Sequence, residues 1–248
     1  MIELKSKAEI QKMQAAGRIV SEVLRVMQAE AVCGVSTWRL NQIAEEIIRT
    51  AGAVPSFLGY GGFPGSICAS VNDVVVHGIP SKKVVLKEGD IVGIDVGAYL
   101  NGFHADAALT LPVGKVSGGA LGLLAQTKKA LDKAVSLIKP GIHLSDISNT
   151  VETYAKEGGL GIVRDYCGHG VGRKLHEDPS ILNYGAKGCG PVLKAGMTLA
   201  VEPMLNLGGD EVEVLNDDWT VVTKDGGLSA HFEHTVAVTE DGHLILTA

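Results

Sequence analysis

The sequence predicts an α+β chain made of two like halves, about 1–115 and 116–248, in which antiparallel strands form a shared core beneath two pairs of helices. Three observations predict it. Helix-period segments precede strand-like ones, that order occurs twice at a fixed offset, and acidic residues stand inside four otherwise apolar strands, two in each half.

From Ala8 to Glu30, the residues Ile10, Met13, Gly17, Val20, Leu24 and Met27 follow the i, i+3, i+4, i+7 spacing of an amphipathic helix. Lys5, Lys7, Lys12, Arg18 and Arg25 read as its solvated face. In a second helix, Ser36 or Thr37 can cap the start, Leu40, Ile43 and Ile47 form the buried stripe, and Gly52 stands where a left-handed residue ends it. Ser66–Val76, Val84–Val96 and Ala105–Val113 are rich in Val, Ile and Ala between Gly, Asn, Asp and Pro, and read as strands of an antiparallel sheet.

Leu86-Lys87-Glu88-Gly89 reappears 107 positions later as Leu193-Lys194-Ala195-Gly196. The same offset carries Gly34-Val35 onto Gly141-Ile142, Leu40 onto Ile147, Ala51-Gly52 onto Gly158-Gly159, and Asp95 onto Glu202. A pseudo-twofold domain follows, with the helices outside and a site where the halves meet, each half supplying part of it.

Composition narrows the function. With 46% hydrophobic and 20% charged residues a packed core is expected, and 32 glycines in 248 residues is nearly twice the ordinary share of ~7%. The formal charge is -6, with no basic run to neutralise phosphates, so nucleic acid and anionic membranes are excluded as partners. The N-terminal segment lacks a secretory pattern, and a cytoplasmic protein is expected. Cys33, Cys68, Cys167 and Cys189 form no CxxC pair and read as reduced thiols. The glycine-rich stretches fit neither a phosphate loop nor a dinucleotide fingerprint, and no Gly-x-Ser-x-Gly or His-Glu-x-x-His occurs.

Asp95, Asp106, Glu202 and Glu233 each interrupt an apolar strand. An unpaired carboxylate there is costly, so such a group is protonated, ion-paired or metal-bound. A hairpin turning near Asn101-Gly102 brings Asp95 and Asp106 onto adjacent strands. His169 stands among glycines that leave room around its imidazole. Four carboxylates and one imidazole suit two divalent ions of the Mn, Fe, Co or Zn kind.

Several segments carry a family resemblance: Asn72 to Pro80 around His77, Gly89-Asp90-Ile91-Val92 leading to Asp95, Gly102 to Asp106, Tyr166 to Gly172 followed by His176-Glu177, Glu202-Pro203-Met204, and Glu233-His234-Thr235. In order and spacing the chain resembles the type I methionine aminopeptidases of the pita-bread fold, over nearly its whole length. The resemblance implies hydrolytic removal of an N-terminal methionine from nascent chains or peptides whose second residue is small. It implies that Asp95 chelates one metal, that Asp106 and Glu233 bridge two, and that His169 and Glu202 complete the other. A bridging water is then the nucleophile, Glu202 the proton shuttle, and His77 and His176 the hydrogen-bonding partners of the substrate amide and carbonyl. The methionine pocket falls on Tyr60, Phe63, Cys68, Leu175 and Trp219, with Phe57 near.

Leu175, Gly97 and Ala107-Ala108-Leu109 depart from the family pattern, where an aromatic, a threonine and a more polar run are usual. Prolidase and aminopeptidase P relatives are a rival reading, but usually carry a domain ahead of the catalytic one, whereas the helix pattern here begins near Ala8. A metal-free binding module is a second rival, disfavoured because all five ligands are present. The protein is expected to act as a monomer, and any docking on the ribosome would use the catalytic domain itself.

Overall fold

A computed structural model describes residues 1–248. Each half opens with two helices: α1 (Lys7–Glu30) and α2 (Thr37–Thr50), then α3 (Gly118–Ser136) and α4 (Leu144–Glu157). A reciprocal cap starts α1, with Glu9 N donating to Ser6 Oγ at 3.3 Å and Ser6 N to Glu9 Oε2 at 2.8 Å. Ser36 Oγ accepts from Arg39 N at the head of α2.

The strands of the first half are β1 (Val54–Pro55), β2 (Ile67–Val71), β3 (Val74–Val76), β4 (Ile91–Leu100) and β5 (Phe103–Pro112). Those of the second are β6 (Gly161–Ile162), β7 (Gly168–Gly170), β8 (Glu177–Ile181), β9 (Thr198–Val201), β10 (Met204–Asn206), β11 (Val212–Val214), β12 (Val221–Thr223), β13 (Ser229–His231), β14 (His234–Val238) and β15 (His243–Ile245). All pairings are antiparallel. In the first half β4 pairs with β1, β2 and β5; in the second a five-stranded sheet runs β15-β14-β9-β7-β8.

Two sequence expectations are corrected. The run Ser66–Val76 is two strands, because Asn72 takes a left-handed φ of 57° and turns the chain, sending β3 to pair with β12 of the other half. Val84–Asp90 is not strand; β4 begins at Ile91 and continues to Leu100. The expected hairpin forms: Leu100 pairs Phe103, and Asn101 and Gly102 take φ of 53° and 89°, as a tight two-residue turn needs.

The repeat is visible in the backbone. Gly34 N donates to Leu86 O at 2.8 Å and Gly141 N to Leu193 O at 3.0 Å; a bridge joins Ser36 to Val85 and its counterpart joins His143 to Val192. All these pairs are related by the same 107 positions.

Burial alternates along the strands and so separates core from site. In β4, Val92, Ile94, Val96 and Ala98 pack under α1 and α2 with Val20, Leu40 and Ile48, which leaves Asp95 and Gly97 on the opposite face. In β9 and β14, Leu199, Val201, Val236 and Val238 pack under α3 and α4. A smaller apolar cluster of Met13, Phe103, Val171, Ala200, Ala237 and Leu246 closes the seam between the halves. Glu233 N donates to Ala108 O at 2.8 Å across that seam, and Thr235 Oγ1 donates to Asp106 O at 2.8 Å.

Lys5 is corrected as well. It is buried, its ammonium 2.6 Å from Glu177 Oε2, rather than part of the solvated face.

Candidate metal centre and substrate pocket

One cavity of about 190 Å³ opens at the seam and is lined by every residue singled out from the sequence: Asp95, Asp106, His169, Glu202 and Glu233, the histidines His77 and His176, and Phe57, Tyr60, Phe63, Cys68, Leu175 and Trp219. Register explains the convergence. Asp95 pairs with Ala108 and Gly97 with Asp106, so the two aspartates are diagonal neighbours on one face. In the second half, His169 pairs with Ala200 in β9, two residues before Glu202, and therefore shares its face.

Asp106, His169 and Glu233 form the tightest group, each offering a ligand atom within 4.8 Å of the other two. His169 Nε2 lies 3.6 Å from Asp106 Oδ2 and 3.5 Å from Glu202 Oε1. Its Nδ1 is 2.8 Å from the Gly170 carbonyl, an acceptor only, so Nδ1 carries the proton and Nε2 presents a lone pair to the carboxylates. Asp106 Oδ1 lies 3.0 Å from Thr235 Oγ1, whose single proton it shares with the Asp106 carbonyl.

Burial pushes the carboxyls of Asp95 and Glu202 up to about 8, and neighbouring acids push the same way. Asp106 and Glu233 are raised for the same first reason. Asp95 Oδ1 and Glu233 Oε1 are buried without any hydrogen-bond partner. Four ionised acids crowded with orphaned oxygens are mutually unfavourable unless protons or a cation satisfy them, and the imidazole turned to offer a lone pair favours a cation. The donor set therefore fits divalent metal, with hard oxygen and one nitrogen.

His77 takes a left-handed φ of 59°, which turns its ring into the cavity edge-on to Tyr166 at 5.5 Å and Trp219 at 6.2 Å. Its pKa falls to about 4, through burial first and the nearby His231 second. His176 stands at the rim, Nδ1 2.7 Å from Tyr60 Oη and ring centroid 4.3 Å from that of His169. Desolvation, then the His169 ring, lower its pKa to about 4. Both rings are neutral near pH 7.

Beside the polar cluster, Phe57, Phe63, Cys68 and Leu175 pack together with Trp219 and Ile79, and Phe63 meets Trp219 edge-on at 5.1 Å. Gly97 has a role here: a Cβ on it would lie 2.8 Å from Ser56 Cβ and 2.9 Å from Phe57 Cε1, so its bareness seats the Phe57 wall.

Val76, Tyr166, Cys167 and Met204 also line the cavity, although the sequence gives none of them a role at the site. Each neighbours a motif residue, and that adjacency was the available signal. His231, 3.5 Å from Glu202 Oε2, was missed too, although it stands two residues before Glu233 in a strand-like segment.

The model of metallopeptidase family M24 matches residues 11–240. The chain belongs to that family. It is 51% identical over 247 residues to the methionine aminopeptidase 1 of Bacillus subtilis, covering 100% of this chain and 99% of the relative. It superposes on the crystal structure of the methionine aminopeptidase of Thermotoga maritima with a TM-score of 0.98 and 47% identity, covering 100% of this chain and 99% of that one. The prolidase of Pyrococcus furiosus shares the pita-bread fold more distantly, with a TM-score of 0.79 and 26% identity over 99% of this chain and 65% of that one. The protein is a metallopeptidase, a hydrolase of α+β pita-bread architecture.

Proposed function

We propose that this metallopeptidase removes an N-terminal methionine from nascent chains or peptides whose second residue is small. The observation that carries the reading is the apolar pocket of Phe57, Phe63, Cys68, Leu175 and Trp219 opening beside the carboxylate and imidazole cluster. An unbranched thioether fills such a wall well, and the high identity to methionine aminopeptidases supports the same reading.

Asp95 would hold one of two divalent ions, Asp106 and Glu233 both, and His169 with Glu202 the other, Mn, Fe, Co and Zn all suiting this donor set. Ions bound there would supply Lewis acidity to the scissile carbonyl and an acidified water as nucleophile. The pocket orients the methionine side chain, and its aromatic walls exclude solvent from one side. His77 and His176, neutral at working pH, donate N–H groups to the substrate amide and carbonyl as charge develops. Tyr60 steadies His176 through the 2.7 Å contact to Nδ1. Glu202 takes a proton at a carboxylate oxygen and returns it to the departing amine.

No helix is long and apolar enough to cross a membrane. We read the protein as a cytoplasmic monomer, one catalytic unit built of two halves, that meets nascent chains near the ribosome.

The test is cleavage of Met-Ala-Ser, a Leu-initiated peptide and an Ala-Pro-containing peptide with Mn, Co, Fe and Zn supplied in turn. Release of methionine from the first alone supports the reading. Preferred cleavage at Xaa-Pro, or refusal of all four metals, overturns it.

A further inference from the structure

His231 is a buried imidazole that the proposed chemistry leaves unused. It ends β13, 4% exposed, and pairs with Met204 in β10. Its backbone is pinned to the first half: His231 N donates to Thr110 Oγ1 at 2.9 Å, and Thr110 Oγ1 donates to His231 O at 2.8 Å. The ring cannot drift far from the seam while those bonds hold.

Nothing in the protein satisfies its Nε2, which is buried without a hydrogen-bond partner. Glu202 Oε2 lies 3.5 Å from it, while Glu202 Oε1 lies 3.5 Å from His169 Nε2. The Glu202 carboxylate is thus flanked by two imidazoles, one oxygen toward each. Those rings differ in what they can offer. His169 keeps its proton on Nδ1 by bonding the Gly170 carbonyl, so it presents a lone pair. His231 has no such carbonyl bond, and an N–H at Nε2 is the form that relieves both the orphaned nitrogen and the carboxylate. A movement of about half an ångström closes 3.5 Å to an ordinary N–H···O bond.

We infer that His231 is a positioning residue for Glu202: its Nε2–H fixes Oε2 and thereby turns Oε1 toward the His169 side of the metal site. The inference rests on the reading that Glu202 and His169 share an ion. A carboxylate ligand held by an outer hydrogen bond loses fewer orientations when the ion binds, and removing such a partner typically weakens metal affinity 10–100-fold. Gln should replace His231, because its amide nitrogen reaches about as far as Nε2. Leu and Asn should not, the first having no donor and the second a shorter reach.

The experiment is calorimetric titration of Mn into the metal-free full-length protein, with circular dichroism to confirm folding. Native protein and His231→Gln should bind Mn within about threefold of each other, and His231→Leu should bind ~10–100-fold more weakly. In a Glu202→Gln background the His231→Leu change should cost nothing further, since the partner it acts through is altered. If the Leu variant does not fold, His231→Asn replaces it in the same comparison. Equal Mn affinity in native and Leu variants, equal loss in Gln and Leu variants, or an undiminished effect in the Glu202→Gln background would each overturn the inference. Failure of the wild-type protein to release methionine would instead count against the proposed substrate, leaving these affinities to be read separately.

Discussion

Lys5 Nζ and Glu177 Oε2 meet at 2.6 Å in a pair whose lysine side chain is wholly buried and whose glutamate is 12% exposed. This contact lashes the segment ahead of α1 to the strand that begins directly after His176. Glu177 Oε1 also accepts from Lys174 N at 3.0 Å, so one carboxylate organises the turn that presents the histidine. Removing one partner of a buried pair leaves an uncompensated charge.

Lys5→Ala should therefore lose about 3–5 kcal/mol of stability in urea unfolding. Lys5→Met combined with Glu177→Leu should recover most of it. A single variant as stable as the native protein would show that the pair is solvated.

His176→Ala should lower kcat ~10²-fold or more on a methionyl peptide with little change in KM, because its hydrogen bond strengthens as negative charge forms. Tyr60→Phe should show the same pattern more weakly. An effect confined to KM would contradict this role.

Asp106→Ala and Glu233→Ala should each lower hydrolysis by at least ~10³-fold, the scale of losing several kcal/mol of electrostatic stabilisation. Thermal unfolding of either metal-free variant should occur no lower than that of the native metal-free protein, because a buried carboxyl crowded by its neighbours has gone. Near-normal turnover in either would remove the shared-ligand assignment.

Metal-free protein should lose stability between about pH 7.5 and pH 8.5, as pH rises through the raised carboxyls. Asp95 and Glu202 are held at about 8 in the folded state by burial, above the ~4 of the unfolded chain. A raised carboxyl means that the folded state binds more protons than the unfolded one in this window, so stability falls as pH rises through it. The histidines lowered to about 4 add little slope above pH 7.5, since unfolded histidine, titrating near ~6.5, is already about nine-tenths neutral there. Tm should drop by several degrees, at about 2–4 °C per kcal/mol for a chain of this size, and saturating divalent metal should abolish the drop. A flat profile without metal would show that the acids are compensated some other way.

Gly97→Thr should raise KM for methionyl peptides several-fold while leaving calorimetric metal affinity within about threefold. Its Cβ would meet Ser56 Cβ at 2.8 Å and Phe57 Cε1 at 2.9 Å, pushing the aromatic wall into the pocket. Unchanged KM would show that Phe57 moves outward instead.

Much of this was legible in the residues. Period 3.6 marked α1 and α2, Asn101-Gly102 marked the hairpin, and acids out of place among apolar residues marked the cavity, although only Asp95 and Asp106 lie in strands, Glu202 following the end of β9 and Glu233 standing between β13 and β14. What was not legible depended on partners distant along the chain. Asn72-Asp73 reads as a modest interruption, yet it turns β3 away to pair with β12, a choice made by the second half. Lys5 reads as surface because Glu177, 172 positions on, is invisible to local pattern. His231 reads as an ordinary strand histidine until Glu202 is found opposite it. Gly97 looks like a loss beside the clustered acids, and only the approach of Phe57 gives it a purpose.

The repeated frame has an unrepeated cargo. Its 107-residue offset sets Asp95 against Glu202 in matching places, but His169 pairs with Ala200, whose counterpart Gly93 pairs with Ser70, so a hydroxyl stands in the first half where the second has an imidazole. The first half instead sends the imidazole of His77 into the cavity, from a residue with a left-handed φ of 59°, so the two halves offer their rings from unlike positions. The lining is therefore asymmetric although the frame that builds it is doubled.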